Sequence, residues 1–129
     1  MLTVKGLHHV GLTVTDMDRS LDFYRRLGLP VLRTSGPDAS GVRSAVIKVG
    51  AQELNVFSRP NLIAADSPED AVGMHHFCLR VEAGSVEELI ADVRRAGLEI
   101  VRGPSKRRDG TSLFLADPDG VRVELQLFD

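Results

Sequence analysis

Apolar and polar residues alternate in two segments that lie far apart in the chain, residues 7–14 and residues 74–81. A period of two is typical of a β-strand with one buried face. After each strand the apolar spacing changes to three and four residues, which predicts a helix. Asp16 and Ser85 are the predicted N-caps, and a glycine ends each helical pattern. The pattern therefore predicts a strand followed by a helix, twice.

Three shorter strands are predicted after each helix. They are residues 31–34, 42–49 and 52–57 in the first half and residues 99–102, 112–115 and 121–127 in the second half. Glycine, proline and aspartate separate them, as is usual in turns. The predicted fold is α+β, with two tandem βαβββ modules, residues 1–58 and 74–129. The segment 59–73 joins them within a single domain.

The two halves also repeat one another in sequence. Leu-His-His-Val-Gly-Leu-Thr-Val matches Met-His-His-Phe-Cys-Leu-Arg-Val at an offset of 67 residues. Arg-Arg-Leu-Gly-Leu matches Arg-Arg-Ala-Gly-Leu at 69 residues, and Glu-Leu-Asn-Val-Phe matches Glu-Leu-Gln-Leu-Phe at 71 residues. Three matches in the same order indicate two copies of one module whose loops differ in length.

Composition restricts the class of protein. The 129 residues are 43% hydrophobic and 26% charged, as in a globular domain. Sixteen basic and 18 acidic side chains give a net charge of −2, which argues against a nucleic-acid or anionic-membrane partner. Cys78 is the only cysteine, which excludes an internal disulfide and a cysteine-based zinc cluster. With no signal-peptide pattern and no apolar run near about 18 residues, we expect a cytoplasmic protein.

Strand alternation places histidines and glutamates on the sheet face that points away from the helices. These residues are His9 and Glu53 in the first copy and His76 and Glu124 in the second. Imidazole nitrogens and carboxylate oxygens are ligands of divalent first-row transition metals. The sequence therefore predicts that the four side chains converge on a metal ion. The competing interpretation is that each histidine simply hydrogen-bonds a neighbouring loop.

Several segments together resemble one known family. They are residues 7–14, residues 20–24 leading to 27–29, and the Asp-Pro-Asp-Gly turn at 117–120 followed by Glu124. They resemble the vicinal oxygen chelate superfamily, which contains glyoxalase I, extradiol dioxygenases, methylmalonyl-CoA epimerase, fosfomycin resistance enzymes and bleomycin-binding proteins. The resemblance implies paired βαβββ modules whose curled mixed sheets form a cup around one divalent metal ion, Ni, Co, Zn, Mn or Fe. It assigns the metal ligands to His9, Glu53, His76 and Glu124.

Within this superfamily the chain is similar to small bacterial glyoxalase I. That similarity implies isomerisation of a hemithioacetal, formed from a 2-oxoaldehyde and a thiol, through a metal-stabilised enediolate. Glu53 or Glu124 would move the proton. Segment 103–106 resembles a substrate-side loop, so Lys106 is a predicted substrate contact. Thr13 stands where that branch has an arginine for the thiol carboxylate, and Arg80, its repeat equivalent, is predicted to bind an anionic end of the substrate.

Asn55 and Phe57 are further predicted substrate contacts, because they share the predicted face of Glu53. Phe57 also suits a dimer interface, and the resemblance implies a homodimer. Two alternatives to a glyoxalase-like lyase or isomerase stay open at this point. One is a metal-free antibiotic-binding protein, and the other is an epimerase or extradiol dioxygenase of the same superfamily.

Overall fold

The first half of the chain forms one mixed four-stranded sheet and one helix. In the computed structural model, which describes residues 2–63 and 74–129, the chain divides into two compact units, Met1–Ile63 and Ala64–Asp129. The elements of the first unit are β1 (His9–Val14), α1 (Met17–Arg26), β2 (Val31–Ser35), β3 (Arg43–Val49) and β4 (Gln52–Ser58). The strand order is β1-β4-β3-β2, with β1 parallel to β4 and the other neighbours antiparallel.

The second half repeats this architecture. Its elements are β5 (His76–Val81), α2 (Val86–Arg95), β6 (Arg102–Arg107), β7 (Gly110–Ala116) and β8 (Arg122–Phe128). The strand order is β5-β8-β7-β6, again with one parallel pair, β5 and β8. The predicted fold class, two tandem βαβββ modules with mixed sheets, is confirmed.

Both helices begin at the predicted caps. The Asp16 side chain accepts a hydrogen bond from the Arg19 backbone N–H, and the Ser85 side chain accepts one from Glu88 N–H. Each bond satisfies one of the N–H groups that the first turn of a helix leaves without a partner. Both helices stop before a glycine with positive φ, Gly28 at 85° and Gly97 at 75°, a conformation that other residues adopt only with strain.

Each sheet has one buried apolar face. In the first unit this face is lined by alternate residues of three strands: Leu12, Val14, Ala45, Ile47, Leu54 and Val56. Helix α1 packs on β3 and β4 and buries Leu21 and Tyr24. The corresponding buried residues of the second sheet are Leu113, Leu115, Val123 and Leu125. Because side chains alternate, the polar residues between these apolar positions point to the opposite face, which is called here the site face of each sheet.

The strand registers of the two units differ by two residues. In the first unit His9 on β1 lies opposite Glu53 on β4. In the second unit His76 on β5 lies opposite Arg122, and Glu124 lies opposite Cys78. Three of the four loops are longer in the second unit. The residue that matches Glu53 in sequence, Glu124, is not the one that matches it in register.

The sixth strand was predicted at residues 99–102, and this boundary is wrong: β6 runs from Arg102 to Arg107. Gly103 and Pro104 directly follow the predicted strand, and both residue types usually interrupt central strands. However, β6 is at the edge of its sheet, and the pairing shifts between Arg102 and Ser105. An edge strand with an irregular pairing tolerates a proline, because the missing N–H costs no ladder hydrogen bond there.

The segment predicted to join the two modules, residues 59–73, is described as far as residue 63. Its remaining part, residues 64–73, lies outside the described residues. Where the chain is described, no helix has the length and apolar character needed to cross a membrane.

Candidate metal centre

The site face of the second unit brings two of the predicted ligands into contact. His76 begins β5 and Glu124 is the third residue of β8, the strand beside it. The His76 Nε2 atom lies 3.1 Å from Glu124 Oε1. The two residues are diagonal neighbours across a parallel pair, a separation that side chains of their length can span.

A serine holds the other oxygen of the same carboxylate. Ser112 on β7 is completely buried, and its hydroxyl donates a 2.6 Å hydrogen bond to Glu124 Oε2. Glu124 itself is only 8% exposed. A charge-assisted bond of this kind fixes the orientation of the carboxylate and compensates part of the cost of burying it.

The ring of His76 also has a neighbour on its other nitrogen. His75 Nδ1 lies 2.9 Å from His76 Nδ1, with the two rings edge to face. One of these nitrogens must donate a proton to the other. When His76 Nδ1 is the donor, its Nε2 carries a lone pair, which is the tautomer that a metal ligand requires. His75, which precedes the strand, is exposed and contacts the His76 ring.

Cys78 completes the immediate surroundings of Glu124. Its Sγ lies 3.8 Å from Gln126 Oε1, and Glu124 is its neighbour in the strand register. Partial burial, the negative charge of Glu124 and a hydrogen bond to Glu124 raise the pKa of the Cys78 thiol from 9.0 to about 11. The thiol is therefore protonated and a poor nucleophile at neutral pH.

The corresponding pair in the first unit is adjacent but not joined. His9 and Glu53 are direct register partners, so their side chains leave the sheet on the same face. His9 Nδ1 instead lies 2.9 Å from His8 Nδ1. Within residues 2–63 the structure records no ion pair between His9 and Glu53. Lys48 on β3 is the residue directly opposite Glu53.

Two predicted substrate contacts also lie on this face. Asn55 is two residues from Glu53, opposite Gly11, and Phe57 is opposite Thr13. The Oδ1 atom of Asn55 is buried and has no hydrogen-bond partner in the part of the chain that the structure describes. A Cβ added at Gly11 would meet no heavy atom within 4 Å. Asn55 thus has a buried acceptor that is unmatched among the described residues, and its register partner Gly11 leaves the space of a side chain unfilled, which suits a hydrogen bond to a ligand.

The structure separates the predicted cationic contacts. Arg80 shares the face of His76, and its guanidinium carbon lies 4.6 Å above the Phe128 ring. Lys106 is opposite Thr111, on the other face of β6, and its Nζ is 3.8 Å from Asp129 Oδ1. This placement does not favour the predicted contact between Lys106 and a substrate.

The site face also holds residues that were not predicted there, among them Ser112, Phe114 and Arg102. Ser112 and Phe114 alternate with Leu113 and Leu115 in a strand that was predicted, so alternation alone puts them on one face. Phe114 is as apolar as the leucines on either side of it, however, so alternation does not show which of the two faces points to the site. The register with Glu124 shows it. Arg102 was placed at the end of its strand, and the arginine therefore had no predicted face.

His76 and Glu124 fit the role of metal ligands. Two ligands with bonds of about 2.1 Å at angles of roughly 90° to 109° lie about 3.0 to 3.4 Å apart. The 3.1 Å between Nε2 and Oε1 matches that spacing. Ser112 and His75 supply the outer hydrogen bonds that orient metal ligands. Among residues 2–63 and 74–129 no group of three or more His, Cys, Asp or Glu side chains is arranged to hold a metal, so the contact is a two-ligand pair.

Comparison with known proteins connects this geometry to a family. Residues 6–125 match the family model described as Glyoxalase/Bleomycin resistance protein/Dioxygenase superfamily. The lactoylglutathione lyase of Escherichia coli O157:H7 is 31% identical over 92% of this chain and 90% of its own length. Metallothiol transferase FosB of Shouchella clausii is 23% identical over 95% of this chain and 80% of its own length.

A solved structure shows the same fold. The glyoxalase family protein from Enterococcus faecalis is 30% identical, with a TM-score of 0.79 over 95% of this chain and 97% of that chain. The family that the sequence motifs indicated is thus confirmed.

Proposed function

Because the chain belongs to the glyoxalase/bleomycin resistance protein/dioxygenase superfamily, we propose that it is a divalent-metal-dependent lyase or isomerase of the lactoylglutathione lyase type. Its substrate is a small oxygenated molecule such as the hemithioacetal of a 2-oxoaldehyde and a thiol. The single observation that carries this proposal is the contact between His76 Nε2 and Glu124 Oε1, supported by Ser112. The similarity to lactoylglutathione lyases supplies the type of reaction.

In this proposal His76 and Glu124 are two of the metal ligands, and His9 and Glu53 are the other two. When bound, the metal polarises the oxygen atoms of the substrate and lowers the cost of negative charge that develops on them. The buried setting of Glu124 and its bond from Ser112 keep one ligand oxygen in place before the metal arrives. Elemental analysis of the purified protein identifies the ion among Ni, Co, Zn, Mn and Fe.

The proton transfer belongs to a carboxylate in this proposal. Glu53 and Glu124 are the acidic side chains on the two site faces that can accept a proton from carbon and return it to the adjacent carbon. Glu53 is half-buried and lies opposite Lys48, whereas Glu124 is buried and contacts Ser112 and His76. Glu→Gln substitution at each position, with turnover measured at saturating metal, identifies the base, because the base variant loses turnover even when its metal site is filled.

Three further residues are proposed substrate contacts. Asn55 offers its unmatched Oδ1 to a hydroxyl or N–H of the substrate, and Phe57 provides an apolar surface next to it. Arg80 binds an anionic end of the substrate, and its stacking on Phe128 holds the guanidinium in position. Unchanged turnover and KM in Arg80→Ala would remove this residue from the proposal.

The first test is the metal content of protein purified without a polyhistidine tag or chelator, by elemental mass spectrometry. We expect near-stoichiometric divalent metal in the natural chain and its loss in His76→Ala. His75→Gln is the matched control, because it removes a neighbouring imidazole that is not a proposed ligand. It should lower metal affinity by about 10- to 100-fold but still bind metal at saturation.

The second test is turnover of the hemithioacetal formed from methylglyoxal and glutathione, after loading with each metal separately. Activity that needs the metal and is lost in His76→Ala supports the proposal. Iron as the bound metal, with turnover of catechols instead, would favour a dioxygenase. Absence of metal after soaking, with small molecules still bound, would favour the metal-free binding protein.

We also propose that the protein is a homodimer, as members of this family often are. Sedimentation equilibrium across a tenfold range of concentration gives the mass directly. A mass near 14.0 kDa, the value for a single chain, at every concentration contradicts it. A cytoplasmic location remains a prediction.

A further inference from the structure

Phe114 is the centre of a contact cluster that neither the sequence analysis nor the proposed function uses. Its ring is 3% exposed and lies on the site face of β7, opposite Glu124. The His76 ring meets it edge to face, with centroids 5.9 Å apart. The guanidinium carbon of Arg102 lies 4.2 Å from the ring centroid, and that of Arg107 lies 5.7 Å from it. One buried ring thus borders both the proposed metal ligand and two cations.

The contact with a ring prepares an arginine to bind an anion. Stacking uses the flat face of the guanidinium, whereas its N–H groups point outward in the plane of the group. Contact with the ring also restricts the arginine side chain beforehand, so less rotamer entropy is lost when an anion binds. Arg102 and Arg107 are register partners of Phe114 and Gly110, so both leave β6 on the site face. Their positions are therefore set by β-sheet register and by Phe114 together.

The charge of this face differs from that of the whole chain. The chain carries a net charge of −2. On the site face of strands β5 to β8, by contrast, the charged residues are one carboxylate and four arginines. They are Glu124, Arg80, Arg102, Arg107 and Arg122. A metal bound by His76 and Glu124 would make the face more positive still. Such a surface favours an anionic ligand.

From these contacts we propose that Arg102, whose guanidinium lies over the Phe114 ring, and Arg107 near the same ring bind an anionic oxygen group of the substrate next to the His76–Glu124 pair. This inference rests on the proposed function for the identity of the substrate site. The ligand group is a carboxylate or a phosphate-like group, because both match the planar fork of a guanidinium. The two arginines take the role that the sequence had assigned to Lys106.

The test is a titration of metal-free protein with inorganic phosphate and, separately, with acetate. The arginine Nε–H signals in nitrogen-15 NMR spectra report binding. We expect the double variant Arg102→Gln/Arg107→Gln to weaken binding of the preferred anion by about tenfold or more, since each charge-assisted contact is lost. The anion that binds with the higher affinity shows whether the group is a carboxylate or a phosphate-like group.

Arg108→Gln is the matched control, because Arg108 is in the turn after β6 and its removal changes the net charge by the same amount. It should change binding less than twofold. Arg107→Lys keeps the charge but loses the fork, and it should weaken binding to an intermediate degree. Thermal unfolding of each variant shows whether it is folded.

Equal weakening by Arg108→Gln would overturn the proposal, because general charge would then explain binding. So would loss of binding in Lys106→Gln with normal binding in the arginine variants. His76→Ala separates this inference from the proposed function: it should lose metal and still bind the anion in the metal-free state. Failure of metal binding with retained, arginine-dependent anion binding refutes the function alone.

Discussion

The two units share one architecture and the same His and Glu positions in sequence, yet their site faces differ. In the second unit His76 contacts Glu124, which is buried and bonded to Ser112. In the first unit, among the described residues, no ion pair joins His9 and Glu53, although the two are direct register partners. A repeated sequence therefore gives the same fold twice without giving the same site twice.

The difference has a cause in the residues that stand opposite each carboxylate on the neighbouring antiparallel strand. Phe114 and Ser112 lie opposite Glu124 and Gln126, whereas the residues opposite Glu53 and Asn55 are Lys48 and Val46. Phe114 of the second unit therefore corresponds to Lys48 of the first, and Ser112 corresponds to Val46. A valine cannot donate the hydrogen bond that Ser112 donates, and a lysine does not cover a carboxylate as a phenylalanine does. The second unit thus holds its histidine–carboxylate pair in place, whereas the half-buried Glu53 of the first unit has no hydroxyl donor at the corresponding position.

The largest expected effect concerns metal affinity. Glu124→Gln should weaken metal binding by about 100-fold or more, because it removes a proposed ligand that is already held beside His76. Glu53→Gln should weaken it by about tenfold, because that carboxylate must first be ordered. Competition with a chelator of known affinity measures both. Equal losses would show that preorganisation in the second unit does not matter.

Removal of the Ser112 hydroxyl tests the origin of that preorganisation. Ser112→Ala should lower the free energy of unfolding of metal-free protein by about 1.5 to 3 kcal/mol, the range for a buried hydrogen bond to a charged group. Urea denaturation measures it. Ser44→Ala, on the equivalent strand of the first unit, is the control and should change it by less than about 0.5 kcal/mol. A similar loss in both variants would contradict the assignment.

Cys78 reports on Glu124 through its pKa. The folded pKa of about 11 exceeds the ordinary 9.0, so the protonated thiol favours the fold. That contribution is present below pH 9 and disappears as the pH rises towards 11. In metal-free protein at pH 8, we expect alkylation by iodoacetamide to be about tenfold slower than in urea-unfolded protein. Glu124→Gln should speed it, because the neighbouring negative charge is gone; an unchanged rate would contradict this cause.

The helix caps are the place where the two units should behave alike. Asp16→Ala and Ser85→Ala each remove one side-chain bond to a backbone N–H in the first turn. Each should lower the free energy of unfolding by about 1 kcal/mol. Chemical denaturation of the two variants measures the values. A difference above about 1 kcal/mol between them would show that the units are not equivalent even away from the site.

The smallest expected effect is at Lys48. Lys48→Met removes the cation opposite Glu53, and an exposed pair of this kind contributes little, so the free energy of unfolding should change by less than about 0.5 kcal/mol. The same denaturation experiment measures it. A larger loss would mean that Lys48 holds Glu53 as Ser112 holds Glu124, and the contrast between the units would then be smaller than we infer.

Much of the fold was predictable from local patterns. Asp16 and Ser85 were identified as caps because a capping side chain acts within three residues of its own position. The strands of His9 and His76 were identified because alternation needs no knowledge of a partner strand. β6 was misplaced because a proline is permitted only at a sheet edge, and edge position depends on the order of all strands.

The sequence alone determined the repeated βαβββ modules, the family, and the residue types that suit a divalent metal. Tertiary structure decided which of them meet: His76 with Glu124, Ser112 behind that carboxylate, and Phe114 beneath two arginines. The physical reason is that alternation assigns a side chain to a face from its neighbours in the chain. Contact across strands depends on register, and a difference of two residues between the units changes every partner while leaving every face the same.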